Sequence, residues 1–216
     1  MNAEMQFEPI RRKAVWGIRI RGAIALSAAL LMPSCSKMIR TGQSPGYLVL
    51  LSLEGSKGGG ANANTFTSNL ASDVITLVPA LTGSPTFFGD TGQATLQLQL
   101  KDQGGQNSPT TPSPANAITL TQYHVKYFRT DGRNVEGVDV PYAFDGGLGV
   151  TVLGTATVGF TLVRNQAKIE APLKALSTNL EIISTIAEVT FYGHDQNGRE
   201  ISVSGRIGVS FANFGD

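Results

Sequence analysis

The sequence predicts an all-β chain, an antiparallel β-sandwich behind an N-terminal segment of different character. Three observations carry this. Charged residues are only 15% of the 216, and Gly alone contributes 25, a composition of strands and turns rather than of solvated helices. Apolar residues recur at a period of two in several runs, whereas no run holds a convincing helical period. Turn residues punctuate the chain between those runs, which gives roughly nine short strands. The length suits one domain, or two small ones, with a sizeable core.

The first segment is not part of that core. Arg11, Arg12, Lys13, Arg19 and Arg21 precede an apolar run, residues 23–35, that ends in Cys35, the only cysteine of the chain. The run is shorter than the roughly 20 apolar residues that span a bilayer as a helix. A basic flank, a short apolar stretch and small residues before a cut make a secretory signal. The last five residues, Leu31-Met32-Pro33-Ser34-Cys35, resemble the lipobox of bacterial lipoproteins. That resemblance implies cleavage after residue 34, a diacylglyceryl thioether on Cys35 and acylation of the new amino group. The multi-chain lipid that results is enough for stable anchoring. A plain signal peptide or an uncleaved anchor are the alternatives. Ser36 after the cysteine implies the outer membrane if the host is Gram-negative.

The expected organisation is therefore a signal peptide over residues 1–34, a small polar tether over 35–46 and a sandwich over 47–216. Losing residues 1–34 removes five basic and two acidic residues, leaving twelve basic against fourteen acidic. Such a domain has no electrostatic footprint for nucleic acid.

Within the domain, residues 47–53 are continuously apolar, as in a strand covered on both faces. Residues 54–64 read as a glycine-rich loop, and 74–78 as a strand closed by Pro79. In 93–101, Leu96, Leu98 and Leu100 alternate with polar residues, a half-buried strand. Residues 101–116 are rich in Pro, Ser, Thr and Gly and read as a mobile loop. A long strand follows over 117–129. Its inward positions are even at Ile118 and Leu120 but odd at Tyr123, Val125 and Tyr127, which predicts a β-bulge near Thr121–Gln122. Residues 135–144, with Pro141, are expected as an edge strand, and Asp145-Gly146-Gly147 as a turn into a strand at 148–153. In 155–163, Ala156, Val158, Phe160 and Leu162 share a face. A short strand is expected at 167–173 and an irregular crossover at 177–185.

The chain closes on a hairpin, with Ala187, Val189 and Phe191 inward on one arm and Ile201, Val203, Ile207, Val209 and Phe211 on the other. Val189, Phe191, Gly193, Asp195, Gly198, Val203 and Val209 resemble the closing hairpin of bacterial immunoglobulin-like domains. The resemblance covers about 25 residues and implies an immunoglobulin-like sandwich. The domain exceeds the roughly 100 residues usual for that fold, so it needs extra strands or long loops.

Few residues point to chemistry. Gly42-Gln43-Ser44-Pro45-Gly46 matches a nucleophile elbow in letters, but no strand precedes it and Pro45 removes a backbone donor, so it is read as chance. His124 falls on an outward strand position beside Lys126. His194 sits in a hairpin loop beside Asp195 with no nucleophile marked for it. Two histidines and a lipidated cysteine make a poor zinc or copper set. Asp131, Asn134, Asp139, Asp145, Asp195 and Asn197 offer loop oxygens for calcium, without the spacing of a dedicated loop. Trp16 leaves with the signal, so sugar stacking would fall to Tyr47 or Tyr142. Accordingly no catalytic residue, metal or cofactor is assigned. The expectation is a lipid-anchored, non-catalytic envelope protein for protein binding, adhesion or assembly, with residues 54–64 and 101–116 as the recognition loops. A small-ligand or carbohydrate-binding lipoprotein is the alternative, and an enzyme comes third.

Overall fold

A computed structural model describes residues 44–60, 63–80 and 82–214. The expected signal peptide, Cys35 and the expected tether up to residue 43 lie outside the described residues. Two sheets carry the domain. One holds three strands in the order β1 (Gly46–Ser56), β5 (Asp90–Leu100), β10 (Thr155–Val163). The other holds five in the order β2 (Asn69–Asp73), β12 (Glu200–Ala212), β11 (Ile183–Asp195), β8 (Ile118–Phe128), β9 (Phe144–Val152). Pairing is antiparallel throughout both sheets except between β2 and β12. Two small hairpins, β3 (Thr76–Val78) with β4 (Ser84–Thr86) and β6 (Gly104–Gly105) with β7 (Ser108–Pro109), lie in the connections.

The sheets pack face to face because alternation gives each an apolar side. Leu96 and Leu98 of β5 and Val158, Phe160 and Leu162 of β10 meet Ile118, Tyr123, Val125 and Tyr127 of β8, Val189 and Phe191 of β11, and Phe211 of β12 in one buried cluster. Phe160 is the central bridge, with ring centroids 5.3 Å from both Tyr123 and Phe191 in edge-to-face contact. Two tyrosine hydroxyls serve the edge strand β10, whose backbone groups would otherwise lack partners. Tyr127 donates to the Leu162 carbonyl at 2.6 Å, and the Thr161 N–H donates to the Tyr123 oxygen at 3.1 Å.

The predicted phase change in β8 is a bulge. Its register against β9 shifts between Leu120 and Gln122, and its register against β11 shifts between Tyr192 and Gly193. Four expectations are corrected. Residues 145–147 are not a turn but part of β9, where Gly146 lies opposite Tyr123. A Cβ on Gly146 would come 2.2 Å from the Tyr123 ring, so the glycine is there to admit the ring. Residues 135–143 form no strand; Val135 closes a turn through its carbonyl with the Asp139 and Val140 N–H groups. Residues 167–173 are not a strand. Two short helices, α1 (Asn165–Ile169) and α2 (Leu173–Leu176), stand there. They use good helix formers and restart after Pro172, burying Ala167, Leu173 and Leu176. Finally, β1 is an edge strand rather than one covered on both faces. Leu51, at a register shift between Leu50 and Ser52, is half exposed.

The registers also give the sandwich two distinct ends, about 35 Å apart for strands of this length. At one end lie Gly46, the loop 101–117, the turn after Val152 and the hairpin loop 196–199, since Gly46 pairs with Leu100, Ile118 with Val152 and Asp195 with Ile118. We call this the tether end, after the segment expected from sequence to lead into β1. At the far end lie residues 57–60, 63–68, 74–80, 82–89, 129–143 and 164–182, which hold most of the described length beyond a minimal sandwich.

Candidate functional site

The loops singled out in the sequence are separated by this geometry. Residues 57–60 sit at the far end, where Gly58 donates to Asp90, whereas 101–116 project at the tether end. They are not two halves of one surface. The loop oxygens proposed for calcium divide likewise. Asp131, Asn134 and Asp139 are at the far end and Asp195 and Asn197 at the tether end. Each acid already has a local task. Asp131 accepts from the guanidinium groups of Arg129 and Arg133 at 2.7 and 2.9 Å, which holds its carboxyl well below the usual range. Asn134 accepts from the Arg129 N–H and Asp139 from the Val135 N–H. Asp195 Oδ1 accepts from the Asn197 and Arg199 N–H groups, both at 2.9 Å, and so shapes the hairpin loop. Among the described residues no group of three or more His, Cys, Asp or Glu side chains converges on a metal position.

Ser44 is buried just ahead of β1 and accepts from the Gly46 N–H at 3.4 Å. A strand follows it, not the helix an elbow requires. His124 faces outward as expected and meets Asp145 at 2.9 Å. His194 Nδ1 lies 3.1 Å from the Asp195 carbonyl oxygen.

The bulge gives these outward residues a setting. It offsets Thr121 and Gln122 from Gly193, whose missing Cβ leaves the Thr119 carbonyl room to approach. The outer face of the five-stranded sheet is thereby hollowed into an open groove of about 870 Å3, lined among others by Gln122, Asp145, Tyr192, His194, Glu200 and Ser202. Acceptors, an amide, hydroxyls and one aromatic ring converge there. Tyr47 and Tyr142, the stacking residues expected from sequence, do not line it; Tyr192 does.

A second constellation escaped the sequence altogether. At the far end Lys168 Nζ donates to Asp90 Oδ1 at 2.8 Å and to the Asp73 carbonyl at 2.7 Å. Asp90 also accepts from the Ser72 hydroxyl and the Gly58 N–H. Ser72, Asp90 and Lys168 are all buried. Burial pushes the Asp90 carboxyl up from its ordinary value against the opposing pull of Lys168, Ser72 and Gly58. It also pushes the Tyr127 hydroxyl up, with the Asp90 charge adding to the effect. Lys168 and Asp90 are 78 residues apart, and no spacing rule links them.

The fold and groove define the class: an all-β sandwich domain with loop-decorated ends and a shallow groove of mixed polarity on one outer face. No family model matches the chain, and none of the curated proteins matches its sequence.

Proposed function

We propose that this protein is a lipid-anchored binding module of the bacterial cell envelope, held by Cys35, whose far end engages a protein partner. The chain polarity supports this reading. The chain enters β1 at the tether end, so in this reading the far end is the one farther along the fold from the point of attachment. Most of the exposed large apolar side chains among the described residues stand at that end, although Tyr47 and Leu153 are exposed at the other. Leu180 is 97% exposed, Val138 67% and Val135 60%, with Tyr142 and Ile182 about half exposed. The segments carrying them project from adjacent strands, because 129–143 leave β8 and 177–182 enter β11, which pair at Phe128 and Ile186. Exposed apolar groups gathered at one end of a domain mark interaction surfaces. The carrying observation is this concentration at the end opposite the tether.

Two measurements test it. Cys35→Ala is expected to free the protein from membranes or stall it as precursor; unchanged fractionation and mass would refute the anchor. A photo-crosslinking residue at Val138 or Leu180 is expected to capture one partner that the same probe at Ser113, in the tether-end loop, does not. Equal capture at both ends would refute the far-end assignment.

The groove favours a second reading, a carbohydrate-binding role. Tyr192 supplies a ring face, while Gln122, Asp145, Glu200 and Ser202 supply the hydrogen-bonding partners that hydroxyl-rich ligands need. Glycan binding lost in Tyr192→Ala would support it, and no binding across a panel of envelope polysaccharides would end it.

A further inference from the structure

We propose that the side chains of Lys168 and Asp90 condense into an intramolecular amide that ties α1 covalently to β5. The reactants are already in contact. Nζ lies 2.8 Å from Oδ1, with the lysine side chain 1% and the aspartate side chain 0% exposed, and Lys168 is the one buried lysine among the described residues. The step balances within the pair. The ammonium group brings three protons and the carboxylate two oxygens. The Cγ–Nζ bond forms as one Cγ–O bond breaks, two of the protons leave with that oxygen as water, and the third remains as the amide N–H. No oxidant or activated co-substrate is needed.

The surrounding groups suit both reaction and product. The Asp73 carbonyl, 2.7 Å from Nζ, accepts the hydrogen that the amide keeps. The Gly58 N–H, 3.1 Å from Oδ1, donates to the oxygen that stays. The Ser72 hydroxyl is on Oδ2, the oxygen that leaves, and can pass a proton to it. Burial disfavours the charged form of Asp90 and so favours the neutral acid that an amine attacks. Positioning supplies what a free amine and acid in water lack, since well-oriented intramolecular partners reach effective concentrations of about 10⁵–10⁸ M. A closed site also keeps out the water that would reverse the step. A buried ion pair, by contrast, gains little over well-packed apolar residues of similar volume. The cross-link would secure the end of the domain that we read as engaging a partner, and it does not depend on that reading.

Trypsin digestion of the protein purified from whole cells, from whichever fraction holds it, and denatured in detergent tests this directly. An acylated Lys168 resists cleavage. The expected product is a branched peptide in which residues 165–174 are joined to residues 58–101, lighter by one water than the two together. Recovery of residues 58–101, 165–168 and 169–174 only as separate linear peptides overturns the proposal. In Asp90→Ala the branched species is expected to vanish; its persistence would show that another residue supplies the carboxyl. The wild-type digest decides the matter even if that variant does not fold.

Discussion

Phe160→Ala tests the sheet-on-sheet core most sharply. Phe160 sits on β10, opposite Gly92 of β5, where a Cβ would come 2.3 Å from its ring. It reaches across to Tyr123 on β8 and Phe191 on β11, each 5.3 Å away between ring centroids. Truncation removes a side chain only 6% exposed and leaves a cavity between two sheets that cannot close independently. Losing a buried phenylalanine costs about 3–5 kcal/mol, lost edge-to-face contacts included. Taking about 4 kcal/mol, at about 2–4 °C per kcal/mol for a domain of this size, Tm is expected to fall by about 8–16 °C. The urea midpoint should fall by about 2 M for a slope near 2 kcal/mol/M. Thr161→Ala, one residue on and outward-facing, is the control and is expected to stay within about 0.5 kcal/mol. Urea unfolding followed by far-UV circular dichroism reads both. A loss below about 1 kcal/mol for Phe160→Ala would mean that the two sheets do not close on this ring.

Gly146→Ala is expected to cost about 1–3 kcal/mol, because the new methyl meets the Tyr123 ring in a filled site; an unchanged melting curve would put the Tyr123 ring elsewhere. Tyr127→Phe removes the 2.6 Å bond to the Leu162 carbonyl and is expected to cost about 1–2 kcal/mol, with faster amide exchange along β10 as its signature. For Asp131 the folded-state pKa is depressed by Arg129 and Arg133. Its contribution is therefore present above the ordinary carboxylate range and lost as pH falls through the depressed value. Carboxyl-carbon NMR is expected to show Asp131 still ionised below the ordinary carboxylate range; titration within that range would refute the arginine clamp.

Much of the sandwich was legible because alternation is a local property. Leu96, Leu98 and Leu100 in β5, Val158, Phe160 and Leu162 in β10, and both arms of the closing hairpin declare their buried faces by period alone. The bulge was legible too, since a one-residue insertion must flip the phase of the apolar positions after it, and Leu120 to Tyr123 shows that flip. Where period two was absent, the reading failed. Residues 165–176 are too short for a helical period to separate from an apolar strand. Asp145-Gly146-Gly147 carries turn chemistry, yet here the glycines make room for a ring from a neighbouring strand.

By itself, then, the sequence determined the strand content, the inward face of most strands and the bulge in β8. Each depends on neighbours along the chain or on composition. Only the tertiary structure decided which loops share an end, that the groove falls on the outer face at the bulge, and that Lys168, Asp90, Ser72 and Asp73 meet in the core. The registers that bring 46 beside 100 and 118 beside 195 set those neighbourhoods. A buried lysine finds its carboxylate 78 residues away only once two sheets have closed around both, because pairing across the fold depends on distance in space, and no local pattern encodes it.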